Sequence, residues 1–297
     1  MSDMTANARA PGAHAIQPRV PSRTVGARLW RFFGALFAIG LLTGGTFQVV
    51  ELLAHDEYTT VDSYPAVGIS VLDVRSAGGS VTVVGRDDVD TIEVTARVSD
   101  GLRSTGNRQE VVGDRLELRG SCPNYGNHWC RVSYTVVTPS DTIVRASADD
   151  GTLIASDLAA GADLDNDNGR IEARNIDGPL EVTNDNGGIQ INDVTGSLTV
   201  DNDHGDIVAT GVDTQSITAT NDHGDVTVSL VNPPQRVRAN SDHGDVEVVL
   251  PNTQDDYRTD LTTDDGDVVT AIRTNPDSQR SVVLETDHGD VTVRYGP

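Results

Sequence analysis

The chain has 297 residues with 22 basic and 45 acidic side chains, giving a formal charge of −23. Phosphate binding needs a basic footprint, so nucleic acid is excluded as a partner. Aromatic residues make up 4 % of the chain while glycines number 29, which argues against a thick globular core and for a thin, turn-rich β architecture. Every basic residue is arginine. Without lysine there is no Schiff base, no P-loop and no Ser-x-x-Lys nucleophile. His-Glu-x-x-His and Gly-x-Ser-x-Gly are missing from the sequence as well.

Charge divides the chain. Residues 1–50 carry Arg9, Arg19, Arg23, Arg28 and Arg31 against Asp3 alone, a net of +4; residues 51–297 carry a net of −27. Residues 1–31, with Pro11, Pro18 and Pro21, read as a disordered cytoplasmic tail. The stretch from Phe32 to Val50 holds no charge. Its nineteen residues at ~1.5 Å rise reach ~28 Å, close to the ~30 Å hydrocarbon core of a bilayer. They predict a transmembrane helix over residues 32–52. Arg28 and Arg31 precede the uncharged stretch, and Glu51, Asp56 and Glu57 come after it. The positive-inside rule then places the tail in the cytoplasm and the remainder outside, as a single-pass protein of the cell membrane. A cleaved signal peptide is the competing reading, but its apolar region is usually ~7–15 residues long, and no Ala-x-Ala site succeeds the stretch here.

Residues 53–147 read as an irregular β region that caps the repeats C-terminal to it. Ile69–Val74, Ser80–Val84, Ile92–Val98, Leu116–Leu118 and Val132–Val137 each alternate apolar and polar side chains. The only two cysteines, Cys122 and Cys130, lie within this region. Export makes a local disulfide the expected state. A metal site using both thiols and His128 is the rival, and it lacks a fourth ligand.

Residues 148–297 are dominated by an internal repeat. Asp-Asp-Gly, Asp-Asn-Gly or Asp-His-Gly recurs eight times, ending at Gly151, Gly169, Gly187, Gly205, Gly224, Gly244, Gly266 and Gly289. The spacings rise from 18 residues to 23 along the chain. Counted from each glycine, position +2 is Leu153, Ile171, Ile189, Ile207, Val226, Val246, Val268 and Val291; position +4 is mostly Ala, Ile or Val. Further apolar columns stand seven and five residues before the next glycine, as in Leu180 with Val182 and Leu198 with Val200. These period-2 pairs mark strands with one buried face. Another column stands at +7: Leu158, Ile176, Val194, Val212 and Val231. Each repeat is therefore two short strands and two corners. About five aliphatic side chains cannot offset the ordering of a whole repeat, so no repeat folds alone. Stacking solves this. The prediction is an all-β, single-stranded, β-helix-like solenoid of about 18–23 residues per coil, preceded by one transmembrane helix. The later coils lengthen around Pro251 and Asn275-Pro276, which read as loops inserted at corners.

Gly79-Ser-Val-Thr-Val, Val136-Val-Thr-Pro139 and the phrase Asn221-Asp-His-Gly-Asp-Val226 resemble a bacterial family of envelope proteins with β-strand repeats, the putative-adhesin family. The resemblance covers about residues 60–297. It implies a surface or envelope-associated module and supplies no catalytic motif.

The corners carry the chemistry worth weighing. Two residues before every glycine stands Asp; one before it stand Asp, Asn or His, with His204, His223, His243 and His288; one after it stand Asp206, Asp225, Asp245, Asp267 and Asp290. Stacked at ~4.8 Å, like charges repel by ~0.8 kcal/mol per pair in water. The favoured offset is structural: the carboxylates accept turn N–H groups, and Asn166, Asn184, Asn202 and Asn221 stack as an amide ladder. The alternative is divalent-cation binding, with Asp203, Asp206, Asp222, Asp225, Asp242 and Asp245 as candidate Ca²⁺ ligands. Neither an EF-hand nor a tandem calcium nonapeptide fits the spacing, and a transition-metal site on the four histidines is a weaker option. Glycan-cleaving β-helices gather their acids in one cleft, whereas these acids repeat evenly, so the sequence assigns no catalytic residue and no cofactor. The expected function is a membrane-anchored, extracytoplasmic, non-enzymatic binding or structural module of the envelope, with an envelope protein or a glycan as partner. A Ca²⁺-dependent protein that binds or cleaves polysaccharide is the alternative.

Overall fold

The structure is a computed structural model that describes residues 30, 33–41, 55–123, 129–253 and 255–296. Met1–Val50 and Glu51–Pro297 are two separate units. In the first, residues 30 and 33–41 are helical. Among the described residues no helix is long and apolar enough to cross a membrane. The predicted tail, apart from Trp30, and most of the predicted span over 32–52 lie outside the described residues.

The second unit is all β. Two sheets, one of twelve strands and one of eleven, stack so that each full coil gives one strand to each sheet. Neighbouring coils pair in parallel and in repeat register: Leu180 with Leu198, Val182 with Val200, Ile171 with Ile189, Ala173 with Ile191. Side chains at equal repeat positions therefore lie above one another, and the apolar columns meet between the sheets. Ile171, Ala173, Leu180, Val182, Ile189 and Ile191 are all buried. This is the solenoid the repeat demands.

The column at +7 comes after the one at +4 by an odd step, which a regular strand cannot deliver to the same face. A left-handed residue at +6 resolves this. Asp157 (φ 58°), Asn175 (φ 52°), Asp193 (φ 56°) and Gly211 (φ 66°) occupy that position in successive coils. Asp, Asn and Gly are the residues that adopt this conformation at least cost. The kink turns Leu158, Ile176, Val194 and Val212 inward. Val231 departs from the expected column: it is 53 % exposed, and Leu230 is buried instead. The register shifts between Ala209 and Val212, so that Val212 pairs with Leu230.

Coil order in space differs from coil order in sequence at both ends. At the N-terminal end, strands Val71–Ser76 and Val81–Arg86 lie directly against Ile143–Asp150 and Leu153–Leu158. The coil made of Arg115–Ser121 and Arg131–Pro139 sits outside them, although it comes later in the chain. Beyond it, Asp56–Pro65 and Thr91–Asp100 close one sheet with antiparallel pairing, and Gly106–Val112 closes the other. The region expected to be an irregular cap thus contributes two in-register coils as well as the cap.

At the C-terminal end, Ser281–His288 inserts between Arg236–His243 and Arg258–Asp265. Val291–Tyr295 likewise inserts between Val246–Leu250 and Val268–Ala271. The last coil of the sequence is the penultimate coil of the stack. The lengthened corners make this crossing feasible. Arg280 pairs with Asp255 at 3.2 Å and donates to the Pro233 and Pro234 carbonyls, both at 2.9 Å. The coil of residues 258–271 is left at the end of both sheets, with no further strand paired to its outer side among the described residues. Val268, expected in a buried column, is consequently 46 % exposed, and Thr270 is exposed too.

The corner glycines test this packing. Gly187 has φ 129°, and a Cβ placed on it would lie 2.6 Å from the Gly169 carbonyl carbon of the neighbouring coil. Gly68 has φ 88° with nothing within 4 Å of an added Cβ. Gly187→Ala is expected to cost more than ~3 kcal/mol, because strain and a backbone collision combine. Gly68→Ala is expected to cost only ~1–2 kcal/mol, the left-handed penalty alone. Equal losses in chemical denaturation would show that the coils meet less closely than these distances require.

Candidate functional site

The repeating corner is built from the backbone outward. Each glycine N–H donates to the carbonyl of the residue before the next coil's glycine: Gly169 to Asn186 at 2.7 Å, Gly187 to His204 at 2.7 Å, Gly205 to His223 at 2.8 Å. These bonds hold adjacent corners in one plane of repeat, so each corner position becomes a column.

The column three residues before the glycine points inward and is buried, at Asn166, Asn184, Asn202 and Asn221. The Asn184 amide donates to Asn202 Oδ1 at 3.1 Å, and Asn202 donates to Asn221 Oδ1 at 3.2 Å. Each also reaches a corner carbonyl: Asn184 to Gly187 at 2.9 Å, Asn202 to Gly205 at 2.7 Å. Beyond the asparagines the column changes to hydroxyls with the same task. Ser241 donates to Gly224 O, Thr286 to Gly244 O and Thr263 to Gly289 O, all at 2.9 Å. A buried carbonyl left unmet would cost a full desolvation penalty, and one polar residue per coil removes it.

The column one residue before the glycine faces solvent. Its imidazoles stack: His204 on His223 at 4.8 Å between ring centroids, His223 on His243 at 4.8 Å, His243 on His288 at 4.9 Å, with ring planes within 5°. The stack is continuous only because the coil of His288 inserts before that of Asp265. In sequence Asp265 interrupts it.

The two acidic columns behave differently. After the glycine, each carboxylate accepts the backbone N–H of its counterpart one coil on. Asp206 accepts from Asp225 at 3.1 Å, Asp225 from Asp245 at 2.9 Å, Asp245 from Asp290 at 2.8 Å, and Asp290 from Asp267 at 2.8 Å. The turn acceptors are therefore these residues, acting between coils, rather than the aspartates two before the glycine acting within their own turn. Asp203, Asp222 and Asp242 in that earlier column are exposed. The six candidate Ca²⁺ ligands thus fall into two solvent-facing columns on either side of the glycine. Among the described residues, no group of three or more His, Cys, Asp or Glu side chains is placed to hold a metal ion. Cys122 and Cys130 are joined in a disulfide with Cα atoms 5.6 Å apart. The bond takes up both sulfurs and overturns the thiolate metal site; His128 lies outside the described residues.

Charge crowding is visible where the outer face is partly buried. Asp201 is held above the usual carboxylate range by burial first, then by the charges of Asp203 and Asp222. Asp165 is raised by burial and by Asp167, Asp163 and Asp185, against a smaller opposing effect of Arg75. Asp149 is raised by burial, Asp167 and Asp150.

A two-sheet, solenoid-like β stack with glycine corners and a stapled excursion is the class that this architecture defines. The chain matches the family described as Toastrack DUF4097 over residues 65–294 and belongs to it. Among solved structures it is similar to a protein from Clostridium sporogenes titled a putative cell adhesion protein, at 13 % identity, covering 81 % of this chain and 100 % of that one with a TM-score of 0.28. It is also similar to one from Parabacteroides distasonis titled a putative lipid binding protein, at 8 % identity, covering 82 % and 97 % with a TM-score of 0.27. No curated protein matches the sequence.

Two outcomes test the corner. Asn202→Thr keeps a hydroxyl in the column, able to donate to the Gly187 carbonyl of the adjacent coil as Thr286 does to Gly244, and should cost less than an apolar replacement. Asn202→Leu leaves the Asn221 amide oxygen without that donor and should cost ~1–3 kcal/mol in urea unfolding. The second outcome concerns pH. A carboxylate whose folded pKa is raised binds its proton more tightly in the folded state, so it lowers stability at neutral pH and ceases to do so as pH falls through its folded pKa. Asp201→Asn should therefore raise the melting temperature at pH 7, and the gain over the unsubstituted chain should vanish as pH falls to about 4. A gain that persists unchanged at low pH would remove the electrostatic explanation.

Proposed function

We propose that this protein is a membrane-anchored, extracytoplasmic β-solenoid of the cell envelope that acts as a non-enzymatic binding or structural module, with an envelope protein or a glycan as partner. The observation that carries this reading is the even distribution of its polar groups. The aspartates and histidines run along one corner as columns engaged with their own neighbours, coil after coil. An acid pair aimed at one bond would need convergence at a single coil. A uniform, rigid, acidic face suits display and contact instead. The anchoring half of the reading rests on the sequence: an uncharged stretch from Phe32 to Val50 separates a net of +4 from a net of −27.

Topology is the direct test. Protease added to intact protoplasts should remove residues 58–297 and leave residues 1–31 protected. Loss of the tail with retention of the β unit would invert the orientation. Release of the whole β unit into the medium without protease would show a cleaved export signal in place of an anchor.

A further inference from the structure

At the N-terminal end of the glycine corner, Trp129 and Cys130 border a groove of about 620 Å³. That volume lies within the ~300–1,000 Å³ range of small-ligand sites. One wall is aromatic: Trp129, 45 % exposed, meets the His55 ring at 5.0 Å between centroids and an angle of 42°. The remaining walls are polar and carry both signs of charge, with Glu57, Arg97, Arg131 and Asp150. Ser80, Ser99 and Ser133 add hydroxyls. Gly78, Gly79 and Gly151 also line the groove.

The lining selects among ligand chemistries. A polyanion is disfavoured, because Arg97 already faces Glu57 at 3.5 Å, Arg131 Nε donates to the Gly78 carbonyl at 3.0 Å, and Glu57 and Asp150 oppose added negative charge. Arg97 and Ser99 lie on Thr91–Asp100, which is paired on both sides and offers no edge to an extended peptide. A lipid tail would need an apolar lining, and this one is mostly charged residues, serines and glycines. A sugar fits each feature. Its apolar ring face can lie on the indole, and its hydroxyls both donate and accept, which a mixed set of guanidinium, carboxylate and serine groups can match. Trp129 precedes Cys130 directly, so the Cys122–Cys130 bond holds the platform next to the corner.

We propose that this groove binds a short saccharide segment, two or three rings long, with Trp129 as the stacking platform and Arg131 and Asp150 as hydrogen-bonding partners. The inference rests on the reading of the protein as an envelope-binding module and gives that reading a site and a ligand class.

The chain contains only two tryptophans, Trp30 and Trp129. In the full-length Trp30→Phe protein, held in detergent micelles, fluorescence therefore reports on Trp129 alone. Titration with chitotriose, and separately with the neutral cellotriose, should give a saturable spectral shift with at least one of them. Calorimetry should then show at least tenfold weaker binding for Trp129→Ala and for Arg131→Ala, with the melting temperature unchanged because both side chains are exposed. No saturable change with either sugar at concentrations up to ~10 mM, well past a Kd of ~1 mM, would overturn the groove. A pull-down on purified cell-wall glycan separates the two levels of the argument. Equal retention of Trp30→Phe and of Trp129→Ala would place glycan binding elsewhere on the chain, sinking the groove and sparing the module. Failure of glycan and of intact envelope alike to retain the protein would sink both.

Discussion

The coils are held level by one bond between them. A glycine N–H reaches across to the carbonyl before the next coil's glycine at 2.7–3.0 Å, from Gly169 through to Gly289. Close stacking at the corner leaves no room for a Cβ, which is why glycine stands there and why the corners stay level. Once they do, the two sheets pair in repeat register and the apolar columns close on one another. A single coil has no backbone partner above or below it and no neighbouring coil to seal its core. Stability is thus a property of the stack.

Register has a cost, because it places like groups at like heights. The corner handles each column separately. Buried polar side chains become a donor ladder through Asn184, Asn202 and Asn221, then hydroxyls at Ser241, Thr286 and Thr263. The aspartates after the glycine become acceptors for the next coil's N–H, turning a repulsive column into a bonded one. Four residues before their glycines, Asp165 and Asp201 are raised in pKa by burial first and then by the neighbouring carboxylates.

A stack with regular sides places its irregular chemistry at its ends. The N-terminal end is closed by antiparallel strands and carries the Cys122–Cys130 disulfide, and a groove bordered by Trp129 and Cys130 lies there. The C-terminal end is closed by a crossing: the final coil tucks beneath the preceding one, and Arg280 ties the lengthened corners together. The sides present an even acidic face, and the groove bordered by Trp129 lies at one end.

The coil was legible in the residues alone. Glycine spacing, the Leu180/Val182 and Ile171/Ala173 column pairs and the Asn column are all local and periodic, and periodicity survives without coordinates. The Cys122–Cys130 pairing was legible for a simpler reason, since only two cysteines exist. The order of the coils was settled only in three dimensions. Each coil offers nearly the same columns to a neighbour, so the pattern that predicts stacking cannot distinguish one neighbour from another. The loops around Pro251 and Asn275-Pro276 make that choice, through contacts such as Arg280 with Asp255 that have no repeat signature. That choice produces the exposure of Val268, the unbroken stack from His204 to His288 and the bonded sequence Asp245, Asp290, Asp267. The groove at Trp129 was hidden for the same reason: His55, Arg97, Trp129 and Asp150 come from four distant stretches of chain, and only the crossing of coils at the N-terminal end brings them together.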